Sequence, residues 1–380
     1  MATLETQILD DVILRGRRRL LSLGGAALAG LALGRAETAH AATTYSDSDI
    51  LNFALNLEYL EANFYYICAF GCTIDKPNAA AVAASKATGG TGAAIPINVG
   101  IGTAGTVTCS VTGPVPFSTV AAASYAAETA IEEGRHVTFL QTALGSSTQV
   151  AQPAINLDVA AGGAWPTLVA AANSVTSSVS IPSGFSPYAA STGDANFLIG
   201  AYVFEDVGVT AYHGAASLLT ASGNVSAAGG ILAVEAYHAG LVRTTLNALD
   251  PTGSLGLVGY STSIANLRAY LANAASPATL GTGTSVTGGI NYDVNPDDQG
   301  LANFSVSLAG TTGYNSARIT DADTADTVNP LPLAIAYARN TNQVLNIVTG
   351  GKKVTGTTVN ATAMGVFFPS GMNAGPNGFK

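Results

Sequence analysis

Two short motifs in this chain combine a carboxylate with an imidazole at a spacing that suits metal binding. Each reads Glu-x-x-His, the first at Glu133 and His136 and the second at Glu235 and His238. Residues three apart on a helix lie on the same face, so each motif directs both of its side chains the same way. One such motif occurs by chance in many helices, but two in a single chain predict a shared site.

A further glutamate precedes each motif on a segment of its own. Glu58 comes before the first motif, and Glu205 comes before the second. The order Glu, Glu-x-x-His, Glu, Glu-x-x-His supplies the ligands of a carboxylate-bridged two-metal centre within a four-helix bundle. The six predicted metal ligands are therefore Glu58, Glu133, His136, Glu205, Glu235 and His238. Buried Glu and His side chains that merely pair with one another are the alternative, although pairing does not require this repeated spacing.

The scarcity of charge makes the placement of the glutamates informative. Only 10% of the residues are charged, against about 25% in an ordinary soluble domain. After residue 42 there are seven Glu and three His, and all of them lie on the four predicted helices. Because such residues are usually spread over surfaces, this confinement indicates an internal use. The formal net charge of −9 argues against nucleic acid as a partner, since phosphate binding requires a basic face.

Hydrophobic periodicity and capping residues predict a domain of four helices within residues 42–250. The helices are expected at roughly 46–70, 117–144, 193–221 and 225–249. Insertions at 73–116 and 146–192 interrupt them, and the second is the long crossover that such a bundle needs. We expect the extension at 251–380 to pack on the bundle, with short helices at 264–274 and 331–347 and turns or short strands at 281–312.

The four segments resemble the helices of ferritins and bacterioferritins. Glu58 precedes Tyr65 by seven residues, which is similar to the first helix of those proteins, and residues 133–145, 204–216 and 231–246 resemble the other three. More closely, the chain resembles the exported ferritin-like domain family that includes desiccation-related proteins. That likeness extends to residues 343–347 and 367–371. It implies an all-α core, a ferritin-like four-helix bundle with a long crossover, irregular or short-strand insertions and a C-terminal wrap.

The resemblance also implies roles for the site residues. Glu58 and Glu205 would be terminal ligands, Glu133 and Glu235 would bridge two metal ions, and each His would complete one ion. Oxygen and imidazole donors of this kind suit iron, with manganese as the alternative. Tyr65, Tyr212, Tyr202 and Glu61 are expected to surround the ligands and hold them. Glu132, about 100° around the helix from Glu133, is expected to face solvent or a neighbouring helix.

Three functions are compatible with such a bundle. The centre could oxidise ferrous iron or react with oxygen or peroxide, as in protection against stress. It could instead hold ions without turnover, in a metal-binding or structural protein of the desiccation-related kind. Storage in a hollow multimer is the third function, but the long insertions argue against a 24-subunit cage because they would clash with close helix packing between subunits.

Residues 1–41 are predicted to be an export signal rather than part of the fold. Arg17 and Arg18 form a twin arginine before the apolar stretch Leu20–Leu33, and Ala39-His40-Ala41 fits a small-residue cleavage site. The apolar stretch is too short to span a bilayer comfortably, which disfavours a membrane anchor. The sequence therefore predicts a periplasmic or extracellular protein, exported through the twin-arginine pathway, with no membrane span in the mature chain.

Cys68, Cys72 and Cys109 are the only cysteines. In an oxidising compartment they predict one disulfide that would pin the first insertion to the end of the first helix. We expect Cys72 to pair with Cys109, because Cys68 falls inside the helix. Three unpaired thiols are the alternative.

Overall fold

Helices dominate the residues that the computed structural model describes, which are 45–87, 96–175, 179–272, 298–304, 314–316, 336–350 and 367–373. In chain order the helices are α1 (Asp47–Phe70), α2 (Ala79–Ala87), α3 (Val120–Leu144), α4 (Ala164–Val175), α5 (Ala195–Ala216), α6 (Ser222–Leu249), α7 (Leu257–Ala272) and α8 (Thr341–Thr349). The strands are β1 (Val107–Thr108), β2 (Ile155–Asn156), β3 (Ala302–Phe304) and β4 (Tyr314–Ser316). The predicted export signal, most of the segment at 281–312 and residues 331–335 lie outside the described residues.

The four helices α1, α3, α5 and α6 form the bundle, in which α1 packs mainly on α3 and α5 mainly on α6.

Local sequence fixes where α1 begins and ends. Ser46 and Asp49 form a reciprocal capping box at its start, and Gly71 adopts the left-handed conformation at its end. These residues satisfy backbone groups that a helix terminus leaves without partners. The all-α bundle expected from the sequence is confirmed.

The two insertions of the bundle meet each other through a small sheet. Strand β1 of the first insertion pairs in parallel with β2 of the crossover that joins α3 to α5. A bridge between Ile101 and Val150 extends this contact. The insertions also contain α2 and α4, which the sequence analysis did not predict. Helix α4 carries Trp165, whose side chain is fully buried.

Two aspartates hold the ends of the bundle helices together. Asp47, at the start of α1, accepts hydrogen bonds from the backbone of Thr220 and Ala221, where α6 begins. Asp194, just before α5, accepts hydrogen bonds from the backbone of Ser118 and Thr119, where α3 begins. The two contacts are related by an approximate two-fold axis that exchanges α1 with α5 and α3 with α6.

A buried ionic cluster attaches the C-terminal residues to the bundle. Asp206 of α5 forms ion pairs with Arg243 of α6 at 2.7 Å and with Arg268 of α7 at 2.9 Å. Asp298 forms ion pairs with Arg268, at 2.8 Å, and with Arg339. All five side chains are buried. The described part of the extension therefore packs on the bundle through charge as well as apolar contact.

Helix α8 is shorter than the helix predicted at 331–347. It begins after Asn340, whose side chain accepts a hydrogen bond from the backbone of Gln343, while Gln343 bonds back to the backbone of Asn340. This capping box starts the helix at Thr341, so the described residues 336–340 are not helical. Apolar periodicity alone did not reveal that start.

Within the described residues, α6 is the one helix long and apolar enough to cross a membrane. Its length and composition alone would permit a span. However, it carries Glu235 and His238 with fully buried side chains inside the bundle. A bundle helix lined with small residues passes the same test of length and hydropathy.

Candidate metal centre

Two glutamates on α1 and α5 are each held by a tyrosine from the opposite helix. The hydroxyl of Tyr65 donates a hydrogen bond to Glu205, and the hydroxyl of Tyr212 donates one to Glu58. Residues seven apart on a helix differ in direction by only about 20°, so each Tyr shares a face with the Glu on its own helix. Each Tyr–Glu pair joins α1 to α5. Exchanging the two helices converts one pair into the other, so the same approximate two-fold axis relates the pairs.

The two histidines direct corresponding nitrogen atoms towards these glutamates. His136 Nδ1 lies 3.2 Å from Glu58 Oε2 and 3.3 Å from Glu133 Oε2. His238 Nδ1 lies 3.0 Å from Glu133 Oε1 and 3.4 Å from Glu205 Oε2. Both Glu-x-x-His motifs therefore point into one space between the four helices.

The donor atoms form two groups that share two glutamates. Glu58, Glu133, His136 and Glu235 make one group, which we name the Glu58 position. Glu133, Glu205, Glu235 and His238 make the other, which we name the Glu205 position. Within each group the ligand atoms lie within 4.8 Å of one another, so each could hold a metal ion. The shared Glu133 and Glu235 are placed where carboxylates bridge two ions.

The polar atoms of the centre fit cations, because several of them have no hydrogen-bond donor in the described structure. The buried atoms without a hydrogen-bond partner there include Glu133 Oε1, Glu205 Oε2, both carboxylate oxygens of Glu235 and Nδ1 of His238. The short Nδ1–oxygen distances at His238 lack hydrogen-bond geometry. A buried acceptor without a partner costs about 1–3 kcal/mol, and more when it is charged. Cations at the two positions would satisfy these lone pairs.

Gly208 of α5 gives one bridging carboxylate its space. A Cβ atom at this position would lie 2.1 Å from Glu235 Oε2, which is far inside van der Waals contact. The carboxylate of Glu235 therefore rests directly against the α5 backbone.

The buried carboxylates raise one another's pKa. Burial, only partly offset by His136, raises the pKa of Glu58 to about 7. Burial and the charges of Glu133 and Glu61 raise the pKa of Glu235 well above its ordinary value. Burial likewise raises the pKa of Glu205. Two divalent cations at the centre would offset the repulsion among these carboxylates and favour their ionised form.

The two histidines lower the pKa of Glu133, whereas the pKa values of the other three carboxylates are raised. Burial alone would raise the pKa of Glu133, but the charge and hydrogen bond of His136, together with the charge of His238, hold it below its ordinary value. Burial lowers the pKa of His136, but the carboxylates of Glu58 and Glu133 outweigh it and raise that pKa to about 10. Strong mutual attraction of this kind reflects the density of ligand-type groups in the centre.

Glu61, which was expected around the ligands, lies beside them and belongs to neither donor group. It follows Glu58 by almost one turn of α1 and is buried. Burial, with the nearby charges of Glu133 and Glu205, raises the pKa of Glu61 well above its ordinary value.

The expectation that Tyr202 supports Glu205 is wrong. Its hydroxyl donates towards the Ser261 carbonyl at 3.3 Å and accepts a hydrogen bond from Arg268 at 2.9 Å, within the buried ionic cluster. The spacing of three residues does not decide this: the Tyr202 ring packs against the guanidinium of Arg268 on α7, 4.6 Å from the ring centroid.

The predicted disulfide between Cys72 and Cys109 is not formed, and all three cysteines are free thiols. Gly71, with a φ of 70°, turns the chain at the end of α1 and carries Cys72 away from it. The returning chain is held beside Cys68, whose carbonyl accepts a hydrogen bond from the backbone of Val115 at 2.8 Å. Cys68 also interacts electrostatically with the Cys109 thiol, and burial raises the pKa of both.

Sequence reasoning missed the role of Glu132. Its carboxylate lies 2.8 Å from Nε2 of His238, on the side of the imidazole that faces away from the centre. Helix spacing predicted that Glu132 faces solvent or a neighbouring helix, and it does lie towards α6, where it contacts the candidate ligand His238. In the sequence, the position of Glu132 next to Glu133 was the one sign that it could act at the centre. That position does not show which side chain of α6 lies opposite Glu132.

Comparison with known proteins agrees with the helical architecture. A family model described as a ferritin-like domain matches residues 46–248, which span the bundle from α1 to α6. No curated protein and no solved structure gave a match.

Proposed function

Since the chain belongs to the ferritin-like domain family, we propose that its bundle holds two metal ions, specifically iron, and uses them in redox chemistry. The proposed reaction is the oxidation of ferrous iron, or reduction of oxygen or peroxide, in protection against stress. Two donor groups sharing Glu133 and Glu235 are the observation that carries this proposal. Carboxylate and imidazole donors suit iron, and manganese is the metal that would fit the same set next best.

Each residue of the centre has a distinct part in this proposal. Glu58 and Glu205 would each hold one ion, and Tyr212 and Tyr65 fix the orientation of those carboxylates through their hydroxyl groups. Glu133 and Glu235 would help to hold both ions, while the enclosing helices exclude bulk water. When bound, a pair of ferrous ions would supply two electrons, one from each ion.

Metal content tests the proposal directly. The purified protein should contain about two ions per chain or take up two on reconstitution. Glu133→Ala and Glu235→Ala should each lose most of this metal. Glu128→Ala should retain it, because Glu128 is exposed and its carboxylate contacts Tyr237 at 3.1 Å, away from the ligands. Elemental analysis of wild type that finds no metal, and no uptake on reconstitution, would rule the centre out.

Reactivity separates the redox function from inert metal binding. Protein loaded anaerobically with ferrous iron should consume oxygen on mixing with aerated buffer and gain near-ultraviolet absorbance from oxidised iron. Glu205→Ala should abolish the signal. His213→Ala should retain it, because His213 belongs to neither donor group. Iron-loaded protein that stays colourless in air for minutes would establish inert metal binding instead.

We also propose that the protein acts outside the cytoplasm, in the periplasm or beyond. The support is the twin arginine at Arg17 and Arg18, followed by an apolar stretch and a small-residue cleavage site. Replacing both arginines with lysine should leave the uncleaved precursor in the cytoplasm. Unchanged export of that variant would instead indicate an ordinary secretory signal or an anchor.

A further inference from the structure

The two halves of the centre follow an approximate two-fold axis. Glu58 with Tyr65 on α1 corresponds to Glu205 with Tyr212 on α5, and the two tyrosines cross reciprocally. The Glu-x-x-His motif of α3 corresponds in the same way to that of α6. Departures from this symmetry therefore identify what differs between the two metal positions.

Glu132 is such a departure. It stands immediately before Glu133 on α3, and the corresponding residue before Glu235 on α6 is Val234. The carboxylate of Glu132 lies 2.8 Å from Nε2 of His238. Val234 has an apolar side chain, which offers no hydrogen-bond acceptor to an imidazole. Within the described residues, an ion pair between Nε2 and a carboxylate is present at His238 and not at His136.

The hydrogen bond at His238 controls which nitrogen is available to a metal. When Nε2 carries the proton and donates it to Glu132, the lone pair of Nδ1 points towards Glu133 and Glu205. Partners of this kind on the outer nitrogen orient a metal-binding imidazole and raise its basicity, and their loss typically weakens metal binding by about 10–100-fold. The Glu132 side chain is 31% exposed and His238 is fully buried, so the contact links the ligand to the surface.

His136 lacks this support. All of its ion-pair contacts within the described residues are made through Nδ1, to Glu58, Glu133 and Glu235. Its side chain is 10% exposed, whereas that of His238 is fully buried. The histidine of the Glu58 position is thus less enclosed, and among the described residues its outer nitrogen has no ion pair with a carboxylate.

We propose that Glu132 is a positioning residue for His238 and makes the Glu205 position bind its metal ion more tightly than the Glu58 position. The Glu205 position fills first, and the Glu58 position exchanges its ion more readily. This inference rests on the proposed two-metal function, and it adds an order of loading and the residue responsible for that order.

Titration of chelator-treated protein with Co²⁺ tests the inference, because cobalt binding is followed by calorimetry and by visible absorption without any turnover. Wild type should show two events of different affinity. His238→Ala should remove the tighter event, and His136→Ala should remove the weaker one. Glu132→Ala should weaken the tighter event by about 10–100-fold and leave the weaker one unchanged.

Conservative variants separate positioning from a general effect on the fold. Glu132→Gln keeps a hydrogen-bond acceptor and should lose less affinity than Glu132→Ala. Glu128→Gln, on the exposed face of the same helix, should match wild type. Circular dichroism and thermal unfolding of each variant would show that the helices remain intact.

Three results would overturn the inference: two wild-type events of equal affinity, a tighter event that survives His238→Ala, or Glu132→Ala affecting both events equally or neither. In all three the protein still binds two ions, so the proposed two-metal function stands. Wild type that takes up no Co²⁺, Fe²⁺ or Mn²⁺ would reject the proposed function and this inference together.

Discussion

A residue of the centre can influence metal binding through the space beside its backbone as well as through a ligand atom. Gly208 is not a ligand, yet the absence of its side chain allows Glu235 to lie against α5. A methyl group added at Gly208 displaces the carboxylate of Glu235, which is the flexible end of that side chain. It does not clash with backbone atoms of another element. Its effect should therefore appear in metal binding and not in folding.

Gly208→Ala should weaken metal binding by about tenfold or more, because a displaced carboxylate can no longer bridge both positions. Its thermal midpoint should stay at or above that of wild type, since Ala favours a helix over Gly by about 1 kcal/mol. Gly240→Ala, on an exposed face of α6 with no atom within 4 Å of the added Cβ, is the matched control. Equal metal affinity in the two variants would contradict the assigned position of Glu235.

At the scale of helices, the two aspartates at the ends of α1 and α5 set the register of the bundle. Asp194 accepts four hydrogen bonds from Ser118 and Thr119, at 2.7–3.0 Å, and its φ of 63° lies in the left-handed region. Asp47 accepts four comparable bonds at the start of α6, although in a more exposed place. Both aspartates tie a helix start to a helix that is distant in sequence.

Asp194→Ala should lower the free energy of unfolding by about 2–3 kcal/mol, because hydrogen bonds to a buried carboxylate are lost. Asp47→Ala should cost about 1 kcal/mol, as is typical of an exposed capping residue. Denaturant titration measures both. Asp194→Asn should recover part of the loss, since Asn accepts hydrogen bonds and tolerates a positive φ. A larger cost at Asp47 than at Asp194 would contradict this ranking.

For the whole molecule, the ionic cluster couples the C-terminal residues to the bundle. Asp298 is the sole carboxylate in the described structure that joins Arg268 to Arg339, so it links a later part of the extension to α7. The backbone N–H of Arg339 also donates to the Thr210 carbonyl of α5 at 3.0 Å. The extension is thus attached beside Asp206, which follows the candidate ligand Glu205 in sequence.

Asp298→Ala should lower the free energy of unfolding by about 3–5 kcal/mol, because it removes the carboxylate that pairs with buried Arg339 and leaves buried Arg268 with Asp206 alone. Limited proteolysis should then release fragments of the C-terminal extension before the bundle is cut. Asp75→Ala, which removes an exposed pair with Lys76 at 3.8 Å, should cost at most about 1 kcal/mol. Similar stability in the two variants would show that the extension is held by other contacts.

The sequence by itself determined the bundle helices and the ligand candidates, because both depend on the period of a single helix. A Glu-x-x-His pair shares a face in any helix that contains it, and residues seven apart remain aligned. The same reasoning directed Tyr65 and Tyr212 to the centre. The predicted bounds of 46–70 match α1 (Asp47–Phe70) to within a residue.

Only the tertiary structure decided which side chains meet across helices. The contact of Glu132 with His238, the place of Tyr202 in an ionic cluster and the absence of a disulfide between Cys72 and Cys109 all depend on how distant segments pack. Period and capping describe each helix separately, whereas these contacts depend on the rotation of one helix against another and on the path of the insertions. Burial of apolar side chains over the whole bundle sets that rotation. The spacing of residues within one helix does not specify it.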